Sequence, residues 1–182
     1  MTPDANVPPE VKNIILAGFM GTGKSTVGRR LAQRLGWRFV DTDDLIERKA
    51  GKTISRIFAE DGEPFFRDLE SGIAKSLAQY SHYVIATGGG LVLRPENIAA
   101  LEQAGRCVLL DASAETIYER TKRHSHRPLL QGPDPRGNIQ NLLDQRREAY
   151  GRIRLRIATD GRSHEQVVEA ILNGLQAAES KS

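Results

Sequence analysis

The chain has 182 residues, of which 39% are hydrophobic and 27% charged, with a formal net charge of +3. That length suits one compact domain with a sizeable core, and no apolar run approaches the ~20 residues of a membrane span. Basic residues gather between Arg120 and Arg162 but are interrupted by prolines, glycines and apolar positions. No aromatic platform or nucleic-acid motif accompanies them, so phosphate-bearing small molecules account for the charge and nucleic acid is not expected as a partner.

Residues 1–10 contain Pro3, Pro8 and Pro9 and no apolar core, which predicts a flexible N-terminal tail ahead of a single domain over 11–182. The first structured element is the β-branched run Asn13 to Ala17, a strand. It leads into Gly-Phe-Met-Gly-Thr-Gly-Lys-Ser, Gly18 to Ser25, and then into a helix whose Val27, Leu31 and Leu35 recur every fourth residue up to Gly36. Strand, glycine-rich loop and helix in that order are the context of a phosphate-binding P-loop, which makes a nucleoside triphosphate the first ligand to consider. Gly21, Thr22 and Gly23 would turn backbone N–H groups toward phosphate oxygens, with Thr26 in the first turn of the helix. Lys24 would reach the β and γ phosphates, and the Ser25 hydroxyl would face Mg²⁺.

Further strands are predicted over Arg38 to Asp41, His82 to Thr87, Arg106 to Asp111 and Leu155 to Thr159. Helices are predicted over Asp44 to Ala50, Ile54 to Glu60, Pro64 to Gln79, Pro95 to Gln103, Ala114 to Lys122, Asn138 to Ile153 and His164 to Ala178. The alternation is that of a three-layer α/β/α fold with a five-stranded parallel sheet. Residues 122–137 stand apart as a polar, basic segment punctuated by proline and glycine, which predicts a mobile lid. Within it His124 and His126 are expected to be solvated loop residues rather than metal ligands, having no cysteine or carboxylate at ligand spacing. Cys107, the only cysteine, sits in the apolar run Cys107 to Leu110 and is expected to be a buried structural thiol. A chain without an intrachain disulfide fits the cytoplasm.

Ligands in open α/β sheets bind beyond the carboxyl ends of the strands, and three clusters are predicted near there. Asp41-Thr-Asp43 offers two carboxylates that could approach a metal-bound phosphate and an acceptor hydroxyl, or Thr42, Asp43 or Asp44 could simply start the following helix. Gly88, Gly89 and Gly90 leave backbone N–H groups unshielded, or form a plain turn. Arg67 and Glu70 fall one turn apart on a helix with the stripe Phe66, Leu69, Ile73 and Leu77, as an exposed ion pair or as a cleft-facing arginine for a carboxylate. Arg146, one turn from both Leu142 and Tyr150, raises the same question.

These motifs in this order resemble the shikimate kinases: the P-loop, Asp41-Thr-Asp43, Gly-Glu-x-x-Phe-Arg-x-x-Glu from Gly62 to Glu70, Thr-Gly-Gly-Gly from Thr87 to Gly90, and Arg-Pro-Leu-Leu from Arg127 to Leu130. The resemblance covers Asn13 to about Ala178. It implies the nucleoside-monophosphate-kinase-like fold and ATP-dependent phosphorylation of the 3-hydroxyl of shikimate, on the way to chorismate and the aromatic amino acids. By that similarity Asp43, Arg67, Gly89 and Arg146 hold shikimate, the arginines taking its carboxylate and Asp43 its hydroxyls. Asp41 orders water around one Mg²⁺, Arg127 contacts the nucleotide phosphates from the lid, and Arg120 lies near adenine. Arg162, in the loop Thr159 to Ser163, belongs to the adenine side. The helix of Arg146 ends Arg147-Glu-Ala-Tyr150, where many relatives have Pro-Leu-Tyr. The chain is expected to act as a monomer. A gluconate or nucleoside monophosphate kinase of the same fold, and a regulatory module without transfer activity, are the alternatives.

Overall fold

A computed structural model describes residues 7–122 and 133–179. Five strands, β1 (Asn13–Ala17), β2 (Arg38–Asp41), β3 (Tyr83–Ala86), β4 (Arg106–Asp111) and β5 (Leu155–Ala158), form one sheet in the order β2-β3-β1-β4-β5. Every pairing is parallel. The helices are α1 (Lys24–Leu35), α2 (Thr42–Ala50), α3 (Ile54–Glu60), α4 (Gly62–Ser76), α5 (Pro95–Ala104), α6 (Ala114–Thr121), α7 (Pro135–Gly151) and α8 (His164–Glu179).

Alternation along the buried strands divides the core in two. Ile14 and Leu16 of β1 with Val108 and Leu110 of β4 pack against Val27 and Leu31 of α1 and Val168 and Ile171 of α8. Ile15 and Ala17 with Cys107 and Leu109 face the other way, onto Phe66 and Ile73 of α4, Leu101 of α5 and Ile117 of α6. Period-two side-chain direction is what lets one apolar strand feed both layers.

Register decides where the ligand edge lies. Leu16 pairs with Ala86 and Val108, while Ala86 also pairs with Asp41, so β1 to β4 end at nearly one level. The P-loop, the β2–α2 junction and the Gly88–Gly90 turn therefore emerge side by side.

The predicted elements are all present, and the differences lie at their ends. Helix α2 starts at Thr42 rather than Asp44 because an Asp41 side-chain oxygen accepts from the Asp43 N–H at 3.0 Å and caps it. Helix α4 starts at Gly62, two residues before Pro64, and its predicted tail becomes a 3₁₀ turn over Leu77–Gln79. A second such turn, Leu91–Leu93, follows the glycine triplet and was not anticipated. Helix α7 begins at Pro135, not Asn138, since Asp134 accepts from the Gly137 N–H at 2.9 Å and proline is pre-set for the first helical position. The expected lid thus loses its last residues to a helix, and residues 123–132 of it lie outside the described residues. Of the expected tail, residues 1–6 lie outside them too, whereas Val7 is buried with Val11 against the α1 and α8 layer.

The N-terminal edge of the sheet has its own lock. Asn13 is wholly buried, its amide nitrogen donating to the Tyr80 and Ala104 carbonyls at 2.7 Å each and its oxygen accepting from the Tyr83 N–H at 3.1 Å. Asn13→Ala leaves those three backbone groups unpaired in the interior. It should lower stability by about 3 kcal/mol, read as a lower denaturant midpoint with an unchanged slope.

Candidate active site

The loop after β1 is shaped to receive an anion. Gly21 and Gly23 hold φ of 78° and 95°, and a side chain on Gly21 would strike Thr121. Helix α1 has neither a side-chain cap nor an acidic residue in its first turn, so its leading N–H groups and positive dipole end face the loop uncompensated. Thr22 is buried and its hydroxyl donates to the Phe19 carbonyl at 2.8 Å, which shapes the loop from inside, while Thr26 is exposed. The Lys24 ammonium folds back onto the carbonyls of Gly18 and Phe19, 2.8 Å from each. Beside it the Ser25 hydroxyl donates to Asp41 Oδ2 at 3.0 Å, the other Asp41 oxygen being the α2 cap. A hydroxyl and a carboxylate joined at the phosphate loop are hard oxygen donors of the kind Mg²⁺ takes together with phosphate oxygens.

On the other flank, Arg120 of α6 donates to the Gly21 carbonyl at 3.3 Å and to the Thr159 hydroxyl and carbonyl at 2.9 Å each, tying the P-loop to the β5–α8 loop. That loop is braced by Asp160, which accepts from the N–H and hydroxyl of Ser113 and the hydroxyl of Thr116. Burial disfavours the Asp160 charge, yet these donors hold its pKa below the ordinary carboxylate value. Arg162 is exposed and lines an open groove on α8 with Glu165, Gln166 and Glu169.

Across the cleft, each glycine of the triplet carries a different charged neighbour. A Cβ on Gly88 would lie 2.6 Å from Asp43 Oδ1, one on Gly89 3.2 Å from an Arg146 terminal nitrogen, and one on Gly90 would overlap the Arg67 guanidinium. Bare backbone is the condition for these side chains to converge. The turn is pinned by the Gly88 N–H donating to the Thr42 hydroxyl at 2.9 Å. The Gly89 carbonyl accepts from Arg146 at 3.3 Å and from the Tyr150 hydroxyl at 3.2 Å.

Arg67 and Glu70 are not an exposed surface pair. Glu70 is 2% exposed, and its Oε2 accepts from Arg67 at 2.7 Å, while Glu63 takes a second edge of the same guanidinium at 2.9 Å. Burial raises the Glu70 pKa, with Arg67, Arg94 and Arg146 pulling it down. Burial also opposes the Arg67 charge, but the hydrogen bonds and charges of Glu70 and Glu63 together outweigh it, and the Arg67 pKa is raised. Arg94, at the start of α5, completes the group by donating to the Arg67 carbonyl at 3.3 Å, Asp68 at 2.8 Å and the Ser71 hydroxyl at 3.1 Å.

Asp43 has the most altered acidity of the cleft carboxylates. Burial first, then the negative charges of Asp41 and Glu70, push its pKa up to about 6, with Lys24 opposing them. A carboxylate poised there is ionised near neutrality and still basic enough to take a hydrogen bond from an alcohol.

Asp41, Asp43, Arg67, Arg146 and the triplet therefore meet at one edge beside Lys24 and Ser25, and Arg120 borders the far side of the loop. Arg127 lies outside the described residues. Glu70 as a buried counter-ion, Arg94, Tyr150 and Phe19 were missed. Only the helical spacing of Glu70 from Arg67 signalled any of them, and spacing does not tell a buried pair from an exposed one. Cys107 is buried on the opposite end of β4, where burial pushes its thiol up to about 12 and keeps it protonated.

The family model described as shikimate kinase matches residues 20–176. A curated shikimate kinase of Symbiobacterium thermophilum is 48% identical over 167 residues, covering 90% of this chain and 96% of that protein. One from Pelotomaculum thermopropionicum is 46% identical over 91% of this chain and 96% of its own length. Among solved structures, the shikimate kinase of Acinetobacter baumannii in complex with shikimate superposes with a TM-score of 0.85 at 38% identity, over 93% of this chain and 95% of that one. A gluconokinase of Sinorhizobium meliloti matches at a TM-score of 0.58 and 21% identity, a likeness of fold alone.

The raised pKa of Asp43 has a sign that stability measurements can read. Its folded pKa of about 6 stands above the ordinary 3.8. The protonated form is therefore favoured on folding, a contribution complete below pH 4 and lost as the pH rises through 6. Asp43→Asn, which never ionises, should be more stable than the parent by about 2–3 kcal/mol at pH 8, and the advantage should vanish toward pH 4, as measured by denaturant midpoints across that range.

Proposed function

Because the chain belongs to the shikimate kinase family, we propose that this cleft carries out that family's reaction, transfer of the γ-phosphoryl group of ATP to the 3-hydroxyl of shikimate, with the following roles. The observation that supports the assignment best is the convergence of Asp43, Arg67 and Arg146 on Gly88–Gly90, one strand away from the P-loop.

Shikimate is a small carboxylate bearing hydroxyls. Arg146 and Arg67 take the carboxylate, each offering an edge of its guanidinium, and the triplet lets the ring come against the backbone. Asp43 accepts from the reacting hydroxyl, orienting its oxygen toward the phosphate and receiving its proton as the new P–O bond forms and the bond to the β-phosphate oxygen breaks. A loose transition state demands little basicity of the acceptor, so a pKa of about 6 serves both the hydrogen bond and the late proton transfer.

Lys24 leaves the two loop carbonyls to meet the β and γ phosphates, joined there by the N–H groups of Gly21, Thr22 and Gly23, with Thr26 beside them in α1. Ser25 and Asp41 hold Mg²⁺, which supplies charge neutralisation on the phosphate oxygens when bound. Arg120, bound to the P-loop and the β5–α8 loop, borders the base, with Arg162 beyond it. Arg127 supplies a further phosphate contact by family resemblance. Catalysis on this scheme is alignment plus positive charge, since phosphoryl transfer leaves little covalent chemistry for side chains to perform. We further propose a cytoplasmic monomer. Among the described residues no helix is long and apolar enough to cross a membrane.

Two sets of variants test the division of roles. Arg146→Ala and Arg67→Lys, the latter keeping Glu70 paired while losing the flat fork, should weaken shikimate binding by roughly 2–4 kcal/mol and hardly move ATP affinity in titrations. If ATP binding collapses and shikimate binding survives, the acceptor assignment is wrong. A coupled ADP-release assay with shikimate, gluconate and nucleoside monophosphates should give turnover with shikimate alone.

Lys24→Ala should abolish that turnover while leaving the thermal unfolding curve in place. Ser25→Ala should raise the Mg²⁺ concentration needed for half-maximal rate. Near-normal turnover by Lys24→Ala would sink the phosphate assignment.

A further inference from the structure

Phe19 is the second residue of the P-loop, yet its ring is turned inward and only 1% exposed, packed in the core layer beneath α4 to α7. The Arg146 guanidinium lies over that ring, 4.9 Å from its centroid, and the same group donates to the Gly89 carbonyl. The Phe19 carbonyl meanwhile accepts from the Lys24 ammonium and from the Thr22 hydroxyl, at 2.8 Å each. Loop and turn also meet directly: a Cβ on Gly89 would stand 3.6 Å from the Gly18 carbonyl oxygen and 3.9 Å from the Met20 nitrogen. One residue thus bears two cations, one through its ring and one through its carbonyl.

An arginine has several rotatable bonds, and a carboxylate needs its fork in one plane. An aromatic face restrains the guanidinium by attraction to the ring while leaving the in-plane N–H edges open, which an aliphatic neighbour cannot do. A nucleotide whose β-phosphate draws Lys24 off the Phe19 carbonyl alters the contacts of the same residue, and any resulting preference must be felt equally from the acceptor side.

We propose that Phe19 is a positioning residue that orients Arg146 for the acceptor carboxylate and couples occupation of the nucleotide loop to acceptor affinity. The proposal rests on the assignment of Arg146 to shikimate. Calorimetric titrations of shikimate, with and without saturating ADP, on the parent, Phe19→Leu, Arg146→Ala and the double variant test it. Leucine keeps an apolar side chain of related size but has no ring face.

Phe19→Leu should raise the shikimate Kd about 5-fold, move the ratio of Kd values with and without ADP toward one, and change the ADP Kd itself by less than about 2-fold. In the Arg146→Ala background the same substitution should have no further effect. An equal loss in both backgrounds would reduce Phe19 to a packing role, and an unchanged Kd would remove it altogether. A parent ratio of one would overturn the coupling while leaving the orientation of Arg146 to stand on the double variant. If Arg146→Ala itself leaves the shikimate Kd unchanged, the acceptor assignment fails first; a loss there with an unaffected Phe19→Leu defeats only the present proposal. Should the leucine variant not fold, Phe19→Met makes the same comparison.

Discussion

A carboxylate enclosed by protein needs a partner, and the side of this cleft around Gly88–Gly90 is organised around that requirement at Glu70. With 2% of its surface exposed, Glu70 depends on Arg67 at 2.7 Å, with the charges of Arg94 and Arg146 adding to the same field. Removing one partner of so enclosed a pair costs about 3–5 kcal/mol. The dependence runs the other way as well, because Glu70 together with Glu63 keeps the Arg67 fork from wandering. Arg94 adds a third point of fixation by binding the Arg67 carbonyl and the helix beside it.

Burial does most to raise the pKa of Asp43, the charges of Asp41 and Glu70 add to it, and Lys24 subtracts. A group kept costly in the folded state lowers stability where it stands, whereas the Asn13 lock at the far end of the sheet is fully satisfied.

The phosphate loop and the Gly88–Gly90 turn are joined by hydrogen bonds from side chains to one another and to backbone. Asp41 uses one oxygen to start α2 and the other to receive Ser25, so the helix that carries Asp43 is anchored to the phosphate loop. The Gly88–Gly90 turn is anchored to Thr42 of the same helix and to Arg146 and Tyr150 of α7. The P-loop and the Gly88–Gly90 turn are therefore linked through short, hydrogen-bonded steps by way of α2.

Local chemistry was enough to read the order of strands and helices, the P-loop and the identity of the charged residues beside it. Each rests on short-range rules: glycine spacing for the loop, period two for strands, period 3.6 for helices. The exposed-or-buried question at Arg67 and Glu70 could not be answered that way, since i, i+3 spacing is identical in either setting and only the packing of α4 against the Gly88–Gly90 turn and Arg94 enclosed the pair. Capping shifted the starts of α2 and α7 for a related reason: Asp41 and Asp134 are ordinary polar residues until the chain bends them back onto an N–H group. The stacking of Arg146 on Phe19 lay furthest from view. It joins residues 127 positions apart, and nothing short of the parallel sheet order, which brings α7 over the loop after β1, puts a ring beneath that guanidinium.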